Sequence, residues 1–165
     1  MTSPVTSPAT SPAKLAFRRT LDLAHDRGQS LRFWLRDDDA THPGPALERL
    51  LDLCAAHRVP PVLAVIPARA SADLAAALPA PVRVAQHGWA HENHAGPGEK
   101  KQELGPQRPA PLVLAELARG LERLRGLFPD HLIDLMVPPW NRIAPEVVTG
   151  LPGIGIRALS AFGKV

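Results

Sequence analysis

His87 and His91 stand four residues apart in Gln86-His87-Gly88-Trp89-Ala90-His91, and a run of three carboxylates, Asp37-Asp38-Asp39, precedes them in the chain. Neutral imidazole nitrogens and a carboxylate oxygen suit zinc, with cobalt or nickel as alternatives, and three protein ligands leave positions open for water and substrate. Each half alone is weak, because the chain has seven histidines and aspartate runs are commonly solvated turns or helix caps. Position strengthens the case. Both groups follow apolar β-type segments, Leu31-Arg32-Phe33-Trp34-Leu35 and Val82-Arg83-Val84-Ala85, and in parallel α/β folds the residues beyond strand carboxyl ends converge on the active site. His94 stands three residues after His91, not the four that HExxH requires, so it is assigned to a loop. His25, His42 and His131 fall at helix ends or in loops and read as surface residues.

The elements that must position these groups follow from periodicity. With 165 residues, 45% of them apolar, the chain has room for one domain burying roughly 68–70% of its unfolded surface. Residues 1–13 repeat Thr-Ser-Pro and read as a disordered tail, and residues 14–165 as the folded domain. An amphipathic helix is predicted over 14–27, ended by Gly28. The strand at 31–35 delivers the aspartates, and Leu47, Leu50, Leu51 and Cys54 mark a helix after Pro43-Gly44-Pro45. Residues 61–67 form a continuous apolar run, as a fully buried parallel strand requires. Ser71 caps a short helix over 71–78, and a third strand ends at Gln86. The order βαβαβ argues for parallel strands with right-handed crossovers. Further on, a helix over 112–128, a strand over 132–137, a helical turn over 145–149 and a strand over 155–159 continue the pattern. The polar stretch 92–111, rich in Gly, Pro and Lys, is either a lid or a solvated loop.

Composition narrows the function classes. Nineteen basic residues against sixteen acidic give +3, but the arginines are scattered and there is no tyrosine, which argues against a nucleic-acid surface. Cys54, the single cysteine, excludes a disulfide framework and reads as a buried structural thiol. The amino terminus lacks a basic segment followed by an apolar core, and no stretch approaches the roughly 20 apolar residues of a membrane span. A soluble, cytoplasmic protein without a membrane partner is expected.

Three motifs carry a family resemblance over residues 31–159. Arg36-Asp37-Asp38-Asp39-Ala40, His87-Gly88-Trp89-Ala90-His91 and Met136-Val137-Pro138-Pro139-Trp140-Asn141 resemble, in order, the first three motifs of the polysaccharide deacetylase family, also known as the NodB homology domain or carbohydrate esterase family 4. The first is a strand ending in adjacent aspartates, one a general base and the next a metal ligand. The second is H(S/T)xxH, with Gly88 where Ser or Thr is usual. The third is RPPYG, with Val137 in place of the arginine, Trp140 of the tyrosine and Asn141 of the glycine.

The resemblance implies an α/β fold, a partial, distorted β/α barrel of the glycoside hydrolase and deacetylase type, with about five parallel strands present. It implies hydrolysis of an N-acyl group, usually acetyl, from an amino sugar or related amide by a metal-activated water. In the first register Asp37 is the base and Asp38, His87 and His91 hold one divalent metal ion. Because a strand alternates faces, a second register makes Asp38 the base and Asp39 the ligand. Pro139 and Trp140 are expected to wall a substrate groove, and Asn141 and Arg142 to orient Asp37 in place of the missing arginine. The resembled domain carries later strands and two later motifs, which find no match here. A C-terminally truncated domain is therefore expected, self-associating through an exposed edge strand. The alternative function is a catalytically silent module that keeps the metal and the carbohydrate groove.

Overall fold

The computed structural model describes residues 11–162. Most of the Thr/Ser/Pro-rich tail, residues 1–10, lies outside this range. The first helix, α1 (Pro12–Asp26), begins earlier than periodicity indicated, because Ser11 Oγ accepts a hydrogen bond from the Lys14 N–H at 3.3 Å and Pro12 sits in the first turn. Proline there gives up an N–H that has no helical partner anyway. With the chain up to Phe33, α1 makes one compact unit, in which Phe17 and Phe33 meet edge to face at 5.6 Å.

The second unit starts at Trp34. Its elements alternate as β1 (Leu35–Ala40), α2 (Pro45–His57), β2 (Pro61–Val65), α3 (Ala72–Ala77), β3 (Arg83–Gln86), α4 (Ala110–Leu127), β4 (Leu132–Met136), α5 (Pro145–Gly150) and β5 (Ala158–Leu159). The five strands lie in chain order, β1-β2-β3-β4-β5, and every pairing is parallel. A doubly wound sheet reverses its strand order at a switch point, whereas a β/α barrel does not. This sheet is therefore a partial β/α barrel, open between β1 and β5. Across that opening, Arg36 Nη1 donates to Ser160 Oγ at 2.7 Å, so the residue following β5 is tied to the first strand.

Two apolar layers hold the helices to one face. Leu63, Val65 and Val84 pack with Leu74, Leu124 and Phe128, while Met136 and Ile156 pack with Leu117, Leu121 and Val147. The opposite face presents Ala64, Ala85 and Val137, with Val62, Ile133 and Leu135 around them. Because both faces of β2 are covered, that strand reads as an unbroken apolar run. Cys54 is buried on α2, unpaired.

β1 departs from the sequence expectation. It was expected over 31–35, but Phe33 and Trp34 are 64% and 55% exposed, and the ladder opens at Leu35 opposite Pro61. The neighbour dictates this: α2 closes on Arg58 in a left-handed conformation (φ 56°), so the chain is extended for pairing only from Pro61. The aspartates consequently lie within β1, not after it.

Candidate metal centre

The carboxyl ends of β1 and β3 bring three ligand-type side chains together. His87 follows β3 and is buried. Its Nδ1 lies 2.8 Å from the Val137 carbonyl, an acceptor only, so Nδ1 carries a proton and, in the neutral ring, the Nε2 lone pair faces the site. Nε2 lies 3.1 Å from Asp39 Oδ1, and His91 Nε2 lies 3.3 Å from the same oxygen. The two imidazoles are 5.1 Å apart between ring centres. Among the described residues, Asp39, His87 and His91 form the one group of at least three such side chains with ligand atoms mutually within 4.8 Å.

Strained backbone produces this convergence. Asp39, His91, Trp140 and Asn141 have φ of 71°, 58°, 53° and 56°, and Gly88 has 61°. Left-handed non-glycine residues are sparse and cluster at functional sites. The irregularity at Asp39 breaks the register of β1 on β2 between Asp37 and Ala40.

That break decides where each aspartate goes. Asp37 pairs with Leu63 and shares its helix-facing side. All three aspartates line one cleft of about 500 Å³ with Thr41, Leu47 and Leu50. Burial, then the charges of Asp38 and Asp39, hold the Asp37 carboxyl above its ordinary range. Asp38 is chelated by Arg36, Nε to Oδ1 at 2.7 Å and Nη2 to Oδ2 at 3.0 Å. Asp38, the ligand of the first register, lies outside the Asp39, His87 and His91 cluster. Asp39 is the aspartate beside both imidazoles, because its left-handed backbone turns it out of the strand's alternation.

The donor set fits a divalent cation. Burial lowers the His87 pKa, opposed by the hydrogen bond to Val137 and by the charges of Asp38 and Asp39. With the Nδ1 proton committed to Val137, a neutral His87 aims a lone pair at a carboxylate oxygen 3.1 Å away. Two acceptors at that distance repel unless something positive lies between them. Two nitrogens and one oxygen match a zinc-type set, and the Val137 carbonyl is the outer-shell partner that orients such a histidine.

The third motif supports the histidines instead of the aspartate. The Trp140 indole sits 4.2 Å from the His91 ring, and Pro139 is buried against Gly88. Arg142 was expected to orient Asp37, but Nη1 donates to the carbonyls of Lys101 (3.1 Å) and Trp140 (3.2 Å), and Asn141 is exposed with no side-chain bond to Asp37. The guanidinium that grips an aspartate is Arg36, which the sequence places in the first motif without a role. His94 contributes its backbone N–H to Gln102 and stays outside the ligand cluster. His42 bonds Thr41 Oγ1 at 2.8 Å. His131, expected at the surface, is half-buried with Nδ1 2.9 Å from the Val82 carbonyl.

The stretch 92–111 is neither a free lid nor simply solvated. Leu104 and Glu103 are buried, and Leu104 bridges Ile143 in parallel. Glu103 reaches the histidine loop, accepting from the N–H groups of Ala90 (2.7 Å), His91 (3.1 Å) and Trp89 (3.2 Å). One glutamate of three in a polar stretch, beside Glu92 and Glu99, gave no sequence signal for this.

Solved structures identify the architecture. A family 4 carbohydrate esterase from Streptomyces lividans, in complex with acetate, superposes with a TM-score of 0.59 at 16% identity, over 76% of this chain and 59% of that one. A carbohydrate esterase family 4 pseudoenzyme from Bacillus anthracis gives 0.62 at 14%, over 76% and 41%. The chain has the polysaccharide deacetylase fold. A de-N-acetylase from Aggregatibacter actinomycetemcomitans gives 0.60 at 14% identity, over 99% of this chain and 82% of that one. The chain thus spans 59% of the Streptomyces esterase and 41% of the Bacillus pseudoenzyme. No family model matches the sequence, and no curated protein does. On this fold the Asp39, His87 and His91 cluster sits at the strand carboxyl ends, where β/α barrels place their chemistry. No helix among the described residues is long and apolar enough to cross a membrane.

Proposed function

We propose that this chain is a divalent-metal hydrolase that removes an N-acyl group, acetyl above all, from an amino sugar or a related amide. The observation that carries the proposal is the convergence of His87 Nε2, His91 Nε2 and Asp39 Oδ1 within 3.3 Å contacts at the carboxyl ends of a deacetylase-fold sheet. Asp39, His87 and His91 would hold the metal, zinc before cobalt or nickel. Bound there, the ion supplies Lewis acidity toward an amide carbonyl and lowers the pKa of water.

The chain's own residues do the rest. Asp38, chelated by Arg36 on both oxygens, takes the proton of the attacking water, its orientation fixed before substrate arrives. Val137 keeps His87 in the tautomer that presents Nε2. Trp140, packed on His91, walls the groove, and an indole face suits the apolar face of a sugar ring. The exposed edge of Asp39, 61% accessible, leaves the site open to a carbohydrate chain.

The test is acetate release from chitooligosaccharides and from small N-acetyl sugars by zinc-loaded protein. Turnover abolished by Asp38→Asn supports the assignment. A loaded protein that turns over no member of an N-acyl panel favours the silent module. The Bacillus neighbour of the same fold is a pseudoenzyme, which supports keeping that second reading.

A further inference from the structure

We infer that Glu103 is the positioning residue of the site, holding residues 88–91 in the one backbone shape that presents both imidazoles to Asp39. The inference deepens the metal-site proposal, and its first readout does not depend on that proposal.

Three successive amides, those of Trp89, Ala90 and His91, point at one carboxylate. Consecutive N–H groups turned to one side form an anion-binding concavity. Here a buried side chain fills it, 1% exposed, from a stretch remote in sequence. The opposite polarity of the loop is also met. The Gly88 carbonyl accepts from Gln86 Nε2 at 3.0 Å, and the Trp89 carbonyl accepts from the Ala68 N–H at 2.9 Å. The shape thus secured is one that the chain would not choose, since His91 has φ of 58° and Gly88 of 61°. Charge-assisted bonds to three amides offset that strain.

Gly88 is the sequence counterpart of this device. A Cβ at position 88 would collide with Glu103 Oε2 and lie 2.6 Å from Pro139 Cγ. The carboxylate occupies the space that a side chain at 88 would need. Glu103 is fixed in turn, because Leu104 bridges Ile143 and its carbonyl accepts from the Ala144 N–H at 2.8 Å. The histidine loop is thereby tied, through Glu103 and Leu104, to Ile143 and Ala144 just after the third motif.

The test compares Glu103→Gln with the unaltered full chain. Gln keeps the volume but turns an N–H₂ toward amides that need an acceptor. In metal-free protein, hydrogen exchange at Trp89, Ala90 and His91 should accelerate on the order of 10-fold, as loss of a charge-assisted bond implies, while Leu63 and Val65 in β2 stay unchanged. Zinc affinity, read by competition with a chromophoric chelator, should fall about 10–100-fold, the usual effect of removing an outer-shell partner. Glu103→Asp, one methylene short, should show an intermediate loss of both. Unchanged exchange at the three amides in Glu103→Gln and Glu103→Asp overturns the inference. Accelerated exchange in protein that never binds zinc supports it and sinks the metal proposal instead.

Discussion

Replacing Gly88 by Ser, the type of residue the deacetylase motif usually carries, should damage this protein. Gly88 has φ of 61°, and a residue with a Cβ pays roughly 1–2 kcal/mol to sit in the left-handed region. The added Cβ would also lie 2.6 and 2.9 Å from Pro139 Cγ and Cδ, and closer still to Glu103 Oε2. Both neighbours are buried, and Glu103 is held by three amides. Neither can withdraw freely, so overpacking adds about 1–3 kcal/mol. The sum, roughly 2–5 kcal/mol, is a large part of a typical domain's 5–15 kcal/mol. Guanidinium denaturation followed by tryptophan fluorescence measures it, with the slope of stability against denaturant unchanged. Gly98→Ala separates the two contributions: its φ is 79° and a Cβ there meets nothing within 4 Å, so only the conformational part is lost. In a Glu103→Ala background the effect of Gly88→Ala should shrink by about 0.5–3 kcal/mol, as expected for groups in contact. A Gly88→Ser protein within about 0.5 kcal/mol of the original, the usual range for a surface change, would refute the packing described around the histidine loop.

Arg36→Ala removes the chelation of Asp38 and the tie to Ser160; kcat for N-acetyl hydrolysis should fall at least 10-fold with KM nearly unchanged, and Arg36→Lys should not restore it, since a single ammonium cannot span both carboxylate oxygens. Burial lowers the His87 pKa below its ordinary 6.5, so as pH falls the unfolded chain takes up the proton first; in metal-free protein, stability present above pH 6.5 should decline as pH drops from there toward the folded-state value, and His87→Asn should flatten that slope in pH-dependent denaturation. Asp38→Asn should retain zinc while losing acetate release by roughly 10²–10⁴, the usual contribution of a general base; loss of zinc together with activity would count against its role as base.

The strands and helices were legible where burial is periodic or continuous. Residues 61–65, apolar on both faces, and the leucines of α4 announce their environment directly. His87 and His91 were legible as a pair because a strand of recognisable type delivers them. The aspartates were harder: alternation predicts which side each faces only while the backbone stays regular, and Asp39 with φ of 71° does not. Two registers were therefore open from the sequence, and a single left-handed residue separates them. Arg36 and Glu103 were hidden for another reason. Their partners, Ser160 and the amides of 89–91, are distant in sequence, and a lone arginine in a strand or a glutamate among Gly, Pro and Lys reads as solvated. Gly88 did carry a signal, as the place where the motif lacks its usual hydroxyl, but its cause appears only with Glu103 in place.

The most direct test of the central claim is zinc titration of metal-free protein carrying Asp39→Asn, set beside Asp37→Asn and the unaltered chain. Asp39 Oδ1 contacts both imidazoles, whereas Asp37 is outside the cluster of converging ligand atoms. The unaltered chain and Asp37→Asn should each bind one zinc with equal affinity, and Asp39→Asn should lose that binding. Full affinity in Asp39→Asn, or loss in Asp37→Asn alone, would contradict the site built here.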